Sequence, residues 1–380
     1  MKFIIHGGTL SRSLQSIISV IATNNAYPIL GNFLFELSDK TLSITASDLE
    51  TTARVTLDLN DAEQGSINRI TINAKMLLEI VNTLSNSPLT FTIDEEDLMV
   101  EITSGEGKYR ISGASAEQYP NPVSIEEPQI TTITSTLLAD AISKTIFATG
   151  VDELRAQMTG VLCEQVNDSI TFVATDAHKL VRYRKVEFPV EQETSFIIPR
   201  KPLNLIRNIL SSYKGEIDVL MKYNIDNVEF VFENYSITCR LIDGKYPNYD
   251  AAIPKENPNK LIIEKASFLN SVRRVAIFAS QSTNQIRLAF LDNEVEMSAE
   301  DPDLANAAKE RIPCNYDGEF LEIGFNAKYL IEMINNVETE YLLLEMSQPN
   351  RAGIIYPYEE DPEPSTESIL MLVMPVMLVD

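Results

Sequence analysis

The chain is poor in cysteine, histidine and positive charge, and it holds no apolar run long enough to cross a bilayer. Its three cysteines, Cys163, Cys239 and Cys314, stand far apart among 380 residues, which excludes C-x-x-C redox chemistry and a cysteine-rich zinc site. A sparse, odd count suits a reducing cytoplasm. There are two histidines, His6 and His178. The opening M-K-F-I-I-H-G-G has too short an apolar stretch for a signal peptide. The closing I-L-M-L-V-M-P-V-M-L-V is an 11-residue run broken by Pro375. It falls well short of the roughly 20 residues that span a bilayer, and it reads as a buried strand with no membrane partner. Lys and Arg number 31 against 55 Asp and Glu, a formal net charge of −24. Spread evenly, that charge would argue against a nucleic-acid partner, because phosphate binding needs local cations.

The rest of the composition, 44% hydrophobic and 23% charged, is that of a soluble globular protein. The length suggests two or three domains at roughly 150 residues each. The chain repeats itself three times, as an internal alignment shows. T-A-S-D-L-E-T-T-A-R-V (45–55) is echoed by V-A-T-D-A-H-K-L-V-R-Y (173–183) and M-S-A-E-D-P-D-L-A-N-A (297–307). I-N-A-K-M-L-L-E-I-V-N-T-L (72–84) is echoed by I-P-R-K-P-L-N-L-I-R-N-I-L (198–210) and F-N-A-K-Y-L-I-E-M-I-N-N-V (325–337). Lys75, Lys201 and Lys328 are 126 and 127 residues apart, and Y-P-N recurs at 119–121 and 246–248.

Leu77, Ile80, Val81 and Leu84, like Leu330, Met333, Ile334 and Val337, fall at i, i+3, i+4, i+7, the stripe of a helix packed on one face. In the middle copy Arg207 stands where Val81 would, so its stripe is shifted or its helix rotated. A second helical pattern opens each unit at 10–22, 137–149 and 265–280. Period-two runs such as Leu89-Phe91-Ile93, Tyr109-Ile111 and Val228-Phe230-Phe232 read as half-buried antiparallel strands. These patterns predict an α+β fold, three tandem repeats of a two-helix plus antiparallel-sheet domain at 1–125, 126–253 and 254–380, with boundaries in proline-bearing stretches.

The charge is not evenly spread. Six helical windows hold 11 Lys and Arg against 4 Asp and Glu, so they carry +7 and the remainder −31. If the helices share a side, that side is a basic surface able to track phosphates without reading sequence. The cations concerned are Arg12, Lys75, Lys144, Arg200, Lys201, Arg207, Lys214, Arg273, Arg274 and Lys328. A scaffold with no role on DNA is the alternative.

Asp176 and His178 also suggest a metal-dependent phosphoesterase, with Glu300, Asp301 and Asp303 as further ligands. Such a site needs several ligands converging on one ion. The repeat opposes this, because Asp48, Asp176 and Asp301 occupy equivalent places in different units, and no G-x-S-x-G elbow occurs. Asp176 reads instead as a cap of the turn after its strand. No cofactor, metal site or catalytic residue is expected.

The repeats together with V-A-T-D-A-H-K-L, I-I-P-R-K, P-I-L-G-N (28–32), L-I-D-G-K-Y-P-N-Y (241–249) and a C-terminal M-P-V-M-L resemble the β subunit of bacterial DNA polymerase III, the sliding-clamp family, over the full length. The resemblance implies a head-to-tail homodimer ring, helices lining a hole that encircles duplex DNA, and a non-catalytic, cytoplasmic processivity factor. It implies an interface of Lys108 and Tyr109 with Ile277 and Phe278. It further implies a pocket between the second and third domains for short peptides borne by polymerases, the clamp loader and repair proteins. Its walls would be Arg155, Met158, Thr175, Ala177, His178, Lys179, Leu180, Pro247, Ala252, Met374, Pro375, Val376, Met377 and Leu378. The chain departs from the family in having Ala177 where a glycine is usual, Asn24 and Asn25 where a basic residue contacts DNA, and Val379 and Asp380 after the terminal motif.

Overall fold

The computed structural model describes residues 1–21 and 27–378; Asn24, Asn25, Val379 and Asp380 lie outside them. Six α-helices occur among the described residues: α1 Gly7–Ile17, α2 Ala74–Thr83, α3 Ser135–Thr145, α4 Arg200–Leu210, α5 Lys265–Ala276 and α6 Ala327–Asn335. Asparagines before two of them accept from the first-turn amides, Asn73 from Met76 and Asn326 from Lys328, the usual N-cap chemistry. Leu77 and Val81 of α2, and Leu330, Met333 and Ile334 of α6, are buried as the stripe predicts. In α4 the buried set is Pro202, Leu203, Leu205, Ile206, Ile209 and Leu210. The stripe has turned about the axis, which leaves Arg207 partly exposed.

The chain divides into two compact units, Met1–Ile142 with Ile198–Ile242, and Ser143–Ile197 with Asp243–Asp380. The cut runs through the central repeat because sheets continue from one repeat into the next. In the first unit the strand Thr51–Asp58 pairs antiparallel with Tyr235–Arg240 of the central repeat, Ala53 opposite Ile237. The sheet so formed has 13 strands. On it α1 packs against α2 and α4, and Asn82 of α2 accepts from Ser11 and Gln15 of α1 at 2.6 and 2.8 Å.

In the second unit the strand Lys179–Val186 pairs antiparallel with Glu367–Val373, Tyr183 opposite Ile369, within a nine-stranded sheet. A five-stranded sheet carries Asn306–Pro313 at its edge, next to Glu294–Asp301, and α5 packs on α6. The closing apolar run is a buried strand only as far as Val373. Met374 then emerges, and Pro375–Val376 crosses to the five-stranded sheet, opposite Phe325 and Gly324. Proline's missing N–H confines it to such strand ends and edges. No helix among the described residues is long and apolar enough to cross a membrane.

Candidate functional site

The three aligned acidic motifs are three β-hairpin turns. Asp48 Oδ1 accepts from the amides of Glu50 and Thr51 at 3.1 and 2.6 Å, and Asp176 Oδ1 from those of His178 and Lys179 at 2.9 Å each. Asp301 Oδ1 accepts from Asp303 N at 3.1 Å. A hydroxyl precedes the acid twice, Ser47 accepting from Leu49 N and Thr175 from Ala177 N. These are side-chain-closed turns. Both force the next residue into the left-handed region, Leu49 at φ 80° and Ala177 at φ 77°, where glycine would be unstrained. The usual glycine of the resemblance is thus a backbone requirement, and Ala177 meets it under strain.

Past the turn the second hairpin differs from its siblings. The His178 ring stacks on Tyr329 of α6, centroids 5.5 Å apart and planes 12° apart. Lys179, with its side chain 6% exposed, donates to Phe147 O at 3.0 Å and pairs with Glu332 of α6, with Asp176 at 3.8 Å. Its ammonium is spent in this buried contact rather than presented to solvent. Tyr329 and Glu332 were not singled out from the sequence. Glu332 repeats Glu79 of the first copy, but nothing in the chain's linear order joins it to Lys179. Burial, then the charges of Asp176 and Glu332, push the Tyr329 phenol up.

Several of the expected wall residues meet here. Met374 N donates to His178 O at 2.8 Å, and Leu180 pairs with Leu372, so the terminal strand is tied to the hairpin. Gly150 N donates to Met158 O at 2.7 Å, beside Asp176. Ala252 and Met374 line a cavity of about 780 Å³ with Asp250, Gln348 and Arg351. Met377 and Leu378 line another of about 360 Å³ with Gln348–Asn350 neighbours, and Pro247 lines a third of about 520 Å³. Met377 is 70% exposed, whereas Arg155 turns back to Asp152 at 3.0 Å. All these features belong to the second unit. Among the described residues no group of three or more His, Cys, Asp or Glu could hold a metal ion.

The helix cations are not equally available. Arg12, Lys75, Arg200, Lys214 and Lys328 are exposed. Lys201 reaches Val20 O and Asp48 at 2.6 and 2.5 Å, Lys144 pairs with Glu338 over the Tyr183 ring, and Arg273 donates to Asn335 at 2.9 Å. Arg274 pairs with Glu310, and its hydrogen bond holds that carboxyl below the ordinary range. Among the residues expected at an interface, Ile277 is 77% exposed, Phe278 38% and Tyr109 37%. Tyr109 shares the face of Ile111 but lies at the open start of its strand, so the alternation does not make it core. Hydrogen bonds from Lys108, then Arg110, hold Glu101 low.

Family models for the N-terminal, central and C-terminal domains of the DNA polymerase III beta subunit match residues 1–123, 132–248 and 250–375. The chain belongs to the DNA polymerase III beta subunit family. Curated relatives named beta sliding clamp from Synechococcus elongatus and Pseudomonas putida are 26% and 27% identical, each match spanning 100% of both chains. The sliding clamp of Pseudomonas aeruginosa, solved bound to griselimycin, superposes with a TM-score of 0.91 at 25% identity, and that of Bacillus subtilis with 0.89 at 25%, both over 100% of each chain. The three domains of mixed helix and antiparallel sheet are those of a clamp, a processivity factor and non-catalytic subunit of the polymerase. Nothing favours a phosphoesterase, and Asp176 is committed to its turn.

Proposed function

We propose that this clamp closes head to tail with a second copy around duplex DNA, and that it docks partner peptides on the hairpin and terminal strand of the second unit. The observation that carries the ring is a joint made twice inside the chain and left open a third time. The strand after the first acidic turn, Thr51–Asp58, pairs with Tyr235–Arg240, and the strand after the second, Lys179–Val186, pairs with Glu367–Val373. The strand after the third, Asn306–Pro313, is an edge. The strand Gly107–Ser115, which stands 128 residues before Tyr235–Arg240, pairs at 107–112 with Met99–Ser104 on one side only. A second copy satisfies both, which brings Lys108 and Tyr109 of one copy toward Ile277 and Phe278 of the other, with domains at 1–125, 126–253 and 254–380. Unpaired strand edges otherwise invite aggregation.

The exposed cations of the helices face the enclosed duplex and hold phosphates loosely, as sliding without base contacts requires. Polymerases, the clamp loader and repair proteins dock through short peptides with apolar anchors against Met374, Met377 and Met158, over the buried Leu180; flexible methionines suit many clients. The protein then works in the cytoplasm with no cofactor. Loading onto nicked circular DNA, followed by linearisation, tests the reading. Retention on the circle and run-off from the linear form are expected, and equal retention on both overturns it. Replacing Arg12, Lys75, Arg200, Lys214 and Lys328 by Ser lowers retention on the circle, whereas a scaffold without a DNA role loses nothing.

A further inference from the structure

We propose that Arg184 and Lys245, together with Arg182, form a subsite for a carboxylate of the partner peptide, beside the seat of its apolar anchors. This rests on the peptide-docking reading above. In the strand Lys179–Val186 alternate residues share a face. Val181 and Tyr183 are buried on one side, while Leu180, also buried, and the half-buried Arg182 and Arg184 form a row on the other. That row begins at a wall of the docking site and runs into the cavity of about 520 Å³, which Arg182, Arg184, Lys245 and Pro247 line. Asp250 lines this cavity and also the one that holds Ala252 and Met374, so the two are neighbours across its side chain.

The cavity holds three cations against two acids in a chain with a net charge of −24. Elsewhere on the sheets Lys185, Lys222, Lys309 and Arg311 each face a glutamate within 4 Å. In the cavity Arg182 pairs with Asp250 at 3.3 Å. The other acid, Glu164, accepts from the Tyr249 hydroxyl at 2.5 Å. Arg184 has only the Ser169 hydroxyl, at 3.0 Å, and its Nε is buried without a partner. Neither Arg184 nor the exposed Lys245 has a carboxylate partner among the described residues. Two cations kept from the surrounding excess of acid are complementary to a ligand carboxylate, which a guanidinium binds through a charge-assisted fork. Four residues of strand separate Leu180 from Arg184, roughly 13 Å at about 3.3 Å per residue. The peptide's acid therefore lies about four extended residues from an anchor seated at the Leu180 end of the row.

Fluorescence anisotropy with two labelled peptides tests this on the full-length chain. Both carry Leu and Phe anchors, and they differ only in Glu or Gln at the positions two to four residues to either side. At about 50 mM salt the Glu peptide binds roughly fivefold tighter, the yield of one or two partly exposed charge pairs. The preference falls to about one in R184Q/K245Q protein, whose folding is checked by its melting curve, and shrinks on wild-type protein as salt is raised. Equal affinity of the two peptides for wild-type protein overturns the proposal, as does a preference that survives in the double variant. Failure of both peptides to bind overturns the docking reading, and this inference with it.

Discussion

The first and second hairpins use one backbone design for two different joints. Each ties the turn of one repeat to the second helix of the next, Asp48 to Lys201 of α4 and Lys179 to Glu332 of α6. The polarity is reversed. In the first joint the turn supplies the acid and the helix the lysine, whose side chain is 41% exposed; in the second the turn supplies the lysine, at 6%. A lysine three residues after the capping aspartate, where the first hairpin has Thr51, moved the cation inward under Phe147 and Tyr329. Lys328, the counterpart of Lys201, is thereby left exposed. The first joint consumes a helix cation and the second releases one, so the helix charge read from sequence is larger than the charge available to phosphate.

The largest contrast should appear in thiol labelling. Cys239 pairs with Thr51 across the first joint, and Cys163 lies in the sheet that carries the second. Burial, then a neighbouring acid in each case, pushes both thiols far up. Burial, then Glu294, pushes Cys314 up to about 11. Thiolate is the reactive form, so Cys314 labelling rises tenfold per pH unit toward 11. Cys163 and Cys239 label about a hundredfold more slowly and only through opening of their joints, which mass spectrometry resolves.

Next in size is Lys179→Ala, expected to cost about 2 kcal/mol by losing a buried charge with three partners. Lower unfolding midpoints in urea would show it, together with weaker peptide docking as the His178 wall loosens. Ala177→Gly relieves the left-handed strain and stabilises by about 0.5–1 kcal/mol, a rise in melting temperature. Lys201→Ala, at the exposed joint, changes stability by less than about 1 kcal/mol. A Lys201 effect as large as that of Lys179 would break the comparison.

The repeats, the helix stripes and the three turn aspartates were legible because each follows from local periodicity. The rotated stripe of α4 was signalled by Arg207. Lys179 was legible as a residue of the pocket motif, yet its burial was not, because Glu332, Tyr329 and Phe147 come to it from segments more than 30 residues away in either direction. The compact units also escaped the sequence, since continuous sheets across repeats arise from strand pairing that no single repeat encodes. Lys144 and Arg274 counted as free helix charge until Glu338 and Glu310 met them in the fold.

The central claim is that the joint made twice within the chain is made a third time between copies. Tyr109 occupies the place of Ile237, and Ala308, which faces Ala299 in its longer hairpin as Ala53 faces Ala46, occupies that of Ala53; Ile237 and Ala53 face each other across the first joint. Directly opposed antiparallel residues have Cα atoms about 4.5–5.5 Å apart, within disulfide reach. A Y109C/A308C variant, mildly oxidised, should therefore run as a covalent dimer in denaturing gels and stay on circular DNA through denaturation. A monomer band under conditions where the uncross-linked protein is dimeric would contradict the account.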